Sequence, residues 1–227
     1  MKRSTLLALT LSTVFLAACG GGGGDAPTGP VTSTLSFPLD AAYTKAMTTG
    51  VSLNGTAVDG ADTYTMSLSI APAADEVFEG AVSKKAIQSL TMKKNGSVLV
   101  ATTISNYFSI NPYTTKGGIY SDGTYAVQTS TTGNFPTAAK VGDSGTLGTL
   151  TLYTNASKTT VQATTQSTWT LEADTASTAF GCANSVIRDA TGTQTGTAAG
   201  CTKIDTNGNA LGMRYTLSVA GKTLVFK

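Results

Sequence analysis

The chain has 227 residues, a formal net charge of +2, only 12% charged side chains and no histidine. The even charge balance predicts no basic surface for nucleic acid or for an acidic membrane, and a serine or cysteine nucleophile lacks an imidazole base. The apolar fraction of 41% is too high for a disordered chain, so a folded domain is expected.

The first 18 residues have the order of an export signal. Lys2 and Arg3 precede an apolar run from Leu6 to Leu16, which is too short to span a membrane as a helix. The sequence Leu16-Ala17-Ala18-Cys19 then resembles the lipobox of bacterial lipoproteins. The resemblance implies cleavage before Cys19, which becomes the first mature residue and carries the lipid. An ordinary secretory cleavage is disfavoured, because Leu16 is large at the −3 position.

The residues after Cys19 indicate sorting and a tether. In lipoproteins of this kind an aspartate directly after the cysteine retains the protein in the inner membrane. Gly20 stands there instead, which implies the outer membrane, with the domain facing the periplasm or the cell surface. Residues 20–30 contain no core-forming side chains and predict a flexible tether with a reach of roughly 20 Å. Together the features resemble glycine-tethered, threonine-rich outer-membrane lipoproteins of Gram-negative bacteria.

Removing the signal changes the charge only slightly. Taking residues 1–18 from the 227 leaves 209, and the loss of Lys2 and Arg3 brings the basic side chains from 15 to 13, equal to the 13 acidic ones. The mature chain is therefore close to neutral. Membrane attachment is expected through the lipid and not through charge.

Residues 31–227 predict a mainly β domain, an antiparallel sandwich or a barrel-like sheet with at most one short helix. Apolar and polar residues alternate over 63–70 and 147–153, which is typical of half-buried strands. Asn95-Gly96 and Ala220-Gly221 each separate two strand-like segments and predict hairpins, over 88–104 and 214–226. Further strands are predicted over 51–58, 123–130, 159–164 and 168–173. The segment 133–145 is a candidate seam between two β lobes.

One segment departs from the two-residue period and predicts the single short helix, over residues 73–87. Its apolar side chains follow helical spacing: Val77, Phe78, Ala81 and Val82. Gly80 within the segment weakens this helix prediction.

Cys182 and Cys201 form an even pair once Cys19 carries lipid. An exported protein meets an oxidising compartment, so a disulfide between them is expected. In the chain-entropy model, closing a loop of this size contributes about 3 kcal/mol. The alternative is a reactive or metal-binding pair, but the spacing is not C-x-x-C and histidine is absent. No metal or cofactor is expected.

The candidate catalytic residues are few. The sequence Gly142-Asp143-Ser144-Gly145 resembles the tetrapeptide around the serine of trypsin-like proteases, but without histidine it predicts a turn. Carboxylates remain as an alternative. Glu172 and Asp174 lie on one face of a predicted strand, and Asp75, Glu76 and Glu79 form an acidic cluster. Two such groups would suit a carbohydrate-active hydrolase, although solvated surface charges account for them as well.

The aromatic residues crowd into one short region: Tyr107, Phe108, Tyr113, Tyr120 and Tyr125. If exposed, Tyr107, Tyr113 and Tyr120 would contact a glycan or a protein partner. If buried, these rings would supply the core that a β domain needs, which is the favoured interpretation. The leading functional prediction is therefore a non-catalytic, lipid-anchored binding or structural module, and the alternative is a carboxylate-dependent hydrolase.

Overall fold

A computed structural model describes residues 31–131, 133–219 and 221–227 of the chain. It contains one α-helix and twelve β-strands in the following order: α1 (Leu39–Thr49), β1 (Val51–Asp59), β2 (Asp62–Phe78), β3 (Ala81–Lys94), β4 (Ser97–Ser109), β5 (Thr114–Tyr120), β6 (Tyr125–Thr131), β7 (Ser144–Tyr153), β8 (Val161–Ala173), β9 (Thr178–Asp189), β10 (Gln194–Asp205), β11 (Ala210–Val219) and β12 (Lys222–Phe226). The signal, Cys19 and the tether lie outside the described residues.

The twelve strands form one antiparallel sheet in which each strand pairs with its neighbours in sequence. The sheet then curls until its ends meet. The backbone N–H of Thr56 in β1 donates to the carbonyl of Lys227 at 3.0 Å, and the N–H of Lys227 donates to the carbonyl of Thr56 at 3.1 Å. The result is a nearly closed up-and-down barrel, which confirms the predicted mainly β, antiparallel, barrel-like fold and leaves few strand edges unpaired.

Buried and less buried side chains alternate along the strands, so that successive residues face the lumen and the outside of the barrel in turn. In β2, Tyr64 and Met66 are buried, whereas Thr63 and Thr65 are not. In β8 the buried positions follow the same two-residue period from Ala163 to Leu171. Most of the buried side chains are apolar, and a few buried threonine and serine residues, such as Thr165 and Ser167 in β8, lie among them.

The predicted strands are largely confirmed. The hairpin at Asn95-Gly96 joins β3 to β4, and both residues have positive φ values, 49° and 84°, as a type I′ turn requires. The segments 159–164 and 168–173, predicted as separate strands, are parts of the single strand β8. The segment 133–145 connects β6 to β7, which pair with each other in the sheet.

The predicted helix over residues 73–87 is wrong. These residues form the end of β2 and the start of β3, joined by a turn at Glu79 and Gly80 with φ values of 50° and 77°. The apolar residues with helical spacing belong to two facing strands, because Val77 pairs with Val82 and Phe78 pairs with Ala81. Residues 74–83 are named the β2–β3 flap below.

The helix of the barrel lies earlier, at α1, where the sequence predicted none. Pro38 precedes it and Gly50, with a φ of 84°, follows it, which is the usual arrangement at the two ends of a helix. The backbone N–H of Gly50 donates to the carbonyl of Ala46 at 3.2 Å. The buried face of α1 is narrow and consists of Leu39, Ala42 and Met47, so its amphipathic pattern is weak.

The helix α1 closes one end of the barrel, the end at which β1 begins. Loops from this end contact it on several sides. The backbone N–H of Tyr113, after β4, donates to the Asp40 carboxylate at 2.6 Å, and the backbone N–H of Asp40 donates to the carbonyl of Pro136 at 3.0 Å. Before the helix, Phe37 is fully buried and pairs with Ala139 as an isolated bridge. These contacts hold the helix in place as a plug.

Candidate functional site

The lumen contains a cavity of about 160 Å³ between α1 and the barrel wall. The helix contributes five lining residues: Leu39, Ala42, Tyr43, Ala46 and Met47. The remaining lining residues come from all strands except β8 and β12, and none of them is Asp, Glu, Lys or Arg. The cavity is therefore a mostly apolar, uncharged space between the helix and the strands, and a concave, mostly apolar lining is typical of small-molecule sites.

A few polar side chains interrupt this apolar lining. Asn106 donates a hydrogen bond from Nδ2 to Oε1 of Gln88 at 3.3 Å, so these two side chains pair across neighbouring strands. Tyr215 also lines the cavity, and its hydroxyl group is buried and has no hydrogen-bond partner among the described residues. Burial raises the pKa of Tyr113, which lines the cavity beside the helix. The tyrosines are therefore neutral at physiological pH.

Glycine in the wall makes room for the helix. A Cβ atom on Gly181 of β9 would lie 2.4 Å from Cδ2 of Leu39, which is too close for any real contact. Next to it, Ile204 of β10 is buried and lines the same cavity. The Leu39 side chain thus occupies space that a larger residue in the wall would fill, and this pairing fixes the position of α1 in the lumen.

The five clustered aromatic rings are buried, so their exposed, sugar-stacking alternative does not hold for these residues. Tyr113 lines the cavity, Tyr120 packs with Ile104 and Leu152 in an apolar cluster, and Tyr107 lies under the β2–β3 flap. Of the three predicted contact residues, Tyr107 and Tyr113 thus belong to the cavity lining, and Tyr120 does not.

The β2–β3 flap lies against the outer face of β4 to β6. The ring of Phe78 stacks on Tyr107, with centroids 4.3 Å apart, and on Tyr125, with centroids 5.3 Å apart. Nζ of Lys116 donates to the Ser83 hydroxyl at 3.0 Å. The Tyr125 hydroxyl donates to the Glu79 carboxylate at 2.8 Å. These contacts cover the rings of Tyr107 and Tyr125, two of the aromatic residues for which the sequence alone leaves surface exposure as an alternative.

The acidic cluster and the predicted carboxylate pair are engaged with cations. Lys84 contacts Asp75 at 2.9 Å, and Lys85 contacts Glu76 at 2.5 Å. Hydrogen bonds from Lys158 and then Tyr125 hold the pKa of Glu79 below its usual value, and a hydrogen bond from Lys85 does the same for the pKa of Glu76.

The predicted pair of carboxylates, Glu172 in β8 and Asp174 directly after it, does not line the cavity. Glu172 forms an ion pair with Arg214, and Asp174 forms one with Lys203 at 2.7 Å. Partial burial acts to raise the pKa of Asp174, but the hydrogen bonds from Lys203 and Thr178 outweigh it, so the pKa is lowered. Each carboxylate therefore has its own basic partner, which is typical of surface ion pairs.

Cys182 and Cys201 stand directly opposite each other on β9 and β10. Their Sγ atoms are 2.7 Å apart, and both residues are buried free thiols in the structure. Opposed residues of antiparallel strands have Cα atoms about 4.5 to 5.5 Å apart, within the range that a disulfide spans. The register thus brings the predicted pair together, while the disulfide bond itself stays a prediction.

The surroundings of the two thiols do not suit a metal ion. Glu172, Cys182 and Cys201 place three potential ligand atoms within 4.8 Å of one another. However, Nη2 of Arg214 lies 2.9 Å from Sγ of Cys201 and also pairs with Glu172. The guanidinium group, which stacks over the ring of Phe180 at 4.7 Å, occupies the position of a cation. Burial raises the pKa of the Cys182 thiol, which disfavours the thiolate that a metal needs.

The tetrapeptide at Gly142 forms a turn followed by the start of a strand. Gly142 has a φ of 98°, and the Asp143 carboxylate accepts the backbone N–H of Lys140 at 2.8 Å. Ser144 is exposed and begins β7. These hydrogen bonds are those of an ordinary turn, as the sequence predicts.

Comparison of the chain with known protein families, with curated proteins and with solved structures returned no match. Within the part of the chain that the structure describes, no helix has the length and apolar character needed to cross a bilayer.

Proposed function

We propose that this chain is a non-catalytic, lipid-anchored outer-membrane protein whose barrel binds a small apolar molecule in its lumen. The observation that carries the proposal is the cavity of about 160 Å³ between α1 and the wall, lined without any Asp, Glu, Lys or Arg. An engineered apolar protein cavity of about 150 Å³ binds benzene. A molecule with one aromatic ring, or an aliphatic one of similar volume, therefore matches this lumen.

The helix favours a preformed site. The loops after β4 and β6 hold α1 through Asp40, so the lining residues of the helix are positioned by contacts within the protein. A preformed site spends little binding free energy on ordering side chains. A structural role alone would be better served by a filled lumen, because cavities destabilise cores.

The hydrolase alternative finds less support. A glycosidase needs one carboxylic acid whose pKa is raised so that it protonates the leaving group. The pKa values of Glu76, Glu79 and Asp174 are lowered by their basic partners. These carboxylates also lie away from the cavity lining.

In this proposal, the lipid on Cys19 anchors the barrel to the membrane. Replacement of Cys19 by alanine should release the protein from the membrane, because the variant has no residue to carry the acyl chains. Each buried methylene contributes about 0.8 kcal/mol to membrane binding, so several acyl chains anchor a protein stably, whereas a single chain binds only reversibly. Fractionation of cells expressing wild-type and Cys19→Ala proteins measures this directly. Tight membrane association of the variant after a salt wash would contradict the lipid anchor.

Ligand binding is testable through the methionines. Met47 and Met213 line the cavity, whereas Met66 and Met92 are buried elsewhere in the lumen. Titration of the ¹³C-methyl-methionine-labelled chain with toluene should shift the signals of Met47 and Met213 and leave those of Met66 and Met92 in place. All samples carry Cys19→Ala so that they stay in solution.

A matched pair of helix variants locates the binding. Ala46→Phe places a ring into the cavity from α1 and should weaken toluene binding at least tenfold, since the added ring takes the volume of the ligand. Ala41→Phe adds the same ring at an exposed position of the same helix, outside the lining, and should bind toluene as the wild type does. Equal binding by both variants would contradict the lumen as the site.

A further inference from the structure

We infer that the hydroxyl group of Tyr215 is the polar recognition group of the cavity, and that the ligand is an uncharged molecule with one ring-sized apolar body and one hydroxyl or carbonyl group. The inference rests on the proposed function, because it names the class of molecule that the lumen takes. Three observations support it: Tyr215 lies on the lumen side of its strand, its hydroxyl group has no partner among the described residues, and no charged residue lines the cavity.

Tyr215 lies on the lumen side of β11. It pairs with Gly200 of β10 on one side and with Phe226 of β12 on the other. Its neighbour two positions earlier, Met213, also lines the cavity, as strand alternation requires. Only 7% of the Tyr215 residue is exposed, so its hydroxyl group is cut off from bulk water.

The hydroxyl group of Tyr215 has no hydrogen-bond partner among the described residues. The amide side chains of Gln88 and Asn106, which also line the cavity, bond to each other. Buried polar groups in proteins are nearly always hydrogen-bonded, because an unpaired one loses its contact with water without compensation. Because Tyr215 lines the cavity and its buried hydroxyl group is unpaired among the described residues, this group is the one we assign to bond to a ligand.

The charge of the lining restricts the ligand further. No Asp, Glu, Lys or Arg lines the cavity, and burying an unpaired charge is far more costly than burying a neutral polar group. A phenolic hydroxyl both donates and accepts hydrogen bonds. It therefore suits a ligand hydroxyl, which does both, or a carbonyl, which accepts.

The test uses phenol and toluene, which share a ring and differ in a hydroxyl or a methyl group. Dissociation constants for both probes come from the methyl signals of Met47 and Met213, in chains that all carry Cys19→Ala. Tyr215→Phe keeps the ring and removes the hydroxyl. It should weaken phenol binding about three- to tenfold relative to toluene, the range of one net hydrogen bond.

Tyr64→Phe is the matched control, because Tyr64 is equally buried, at 7% exposed, but does not line the cavity. Its ratio of phenol to toluene affinity should equal that of the wild type. The Tm of the unliganded Tyr215→Phe protein should be unchanged or higher, since no protein hydrogen bond is lost. A lower Tm would overturn the inference by revealing a protein partner for the hydroxyl.

The outcomes separate the inference from the proposed function. If toluene shifts Met47 and Met213 but Tyr215→Phe leaves the affinity ratio unchanged, the role of Tyr215 is overturned while binding in the lumen stands. If neither phenol nor toluene shifts these signals, the proposed function fails and the inference fails with it.

Discussion

Alanine in place of Gly117 is expected to lower the free energy of unfolding by about 3 to 5 kcal/mol. A Cβ atom at Gly117 would lie 2.1 Å from the carbonyl oxygen of Ala126 on β6 and 2.8 Å from Cζ of Phe78 in the β2–β3 flap. Neither neighbouring strand is free to retreat, because Gly117 pairs with Tyr107 on β4 and with Val127 on β6. The φ of 152° adds backbone strain for any residue with a side chain.

Urea unfolding followed by circular dichroism measures the loss, and Gly123→Ala is its control. Gly123 also has a positive φ, 91°, in the turn of the same hairpin, but a Cβ atom there would meet nothing within 4 Å. That variant should lose only about 1 to 2 kcal/mol, the cost of the strained backbone alone. Equal losses from the two variants would mean that β5, β6 and the flap do not approach as closely in solution.

Sequence patterns predicted the local parts of the fold and not its closure. The hairpin at Asn95-Gly96 is encoded by two adjacent residues that accept positive φ, so its turn could be identified without knowing the rest of the chain. The meeting of Thr56 with Lys227 depends on the summed curvature of twelve strands. No short segment carries that information, and sandwich and barrel therefore remained alternatives.

The helix prediction failed because spacing alone does not distinguish a helix from a hairpin tip. Val77, Phe78, Ala81 and Val82 face each other across two strands, and their apparent helical period arises from the turn between them. The true helix buries mainly Leu39, Ala42 and Met47. In the sequence, this helix is indicated more clearly by Pro38 and Gly50, which lie at its two ends, than by the spacing of its few apolar residues.

The cavity was beyond the reach of sequence because its lining is collected from α1 and nearly every strand. Tyr113 was singled out for its aromatic ring and does line the cavity, whereas Tyr215, in a predicted strand, carried no signal of its own. What distinguishes Tyr215 is an unpaired hydroxyl, and only the packed structure reveals which polar groups have partners.

Truncation of Leu39 to alanine is expected to lower the free energy of unfolding by about 2 to 5 kcal/mol. Leu39 is fully buried, and its side chain extends toward Gly181 and Ile204 of the wall. Removing it deletes apolar contacts and leaves a void beside the existing cavity. Urea unfolding measures the loss. A change below about 0.5 kcal/mol, the level of a surface substitution, would contradict the placement of α1 in the lumen.

A double-mutant cycle with Gly181 isolates this contact from general damage. Gly181→Ala alone should cost about 1 to 3 kcal/mol, because its Cβ would lie 2.4 Å from Cδ2 of Leu39 and the leucine must move. In the Leu39→Ala background that obstacle is gone, so the same glycine change should cost almost nothing. The control pairs Leu39→Ala with Gly212→Ala, where a Cβ atom meets nothing within 4 Å, and its effects should add. Additivity in both cycles would mean that Leu39 and Gly181 do not touch, and then α1 would not plug the barrel.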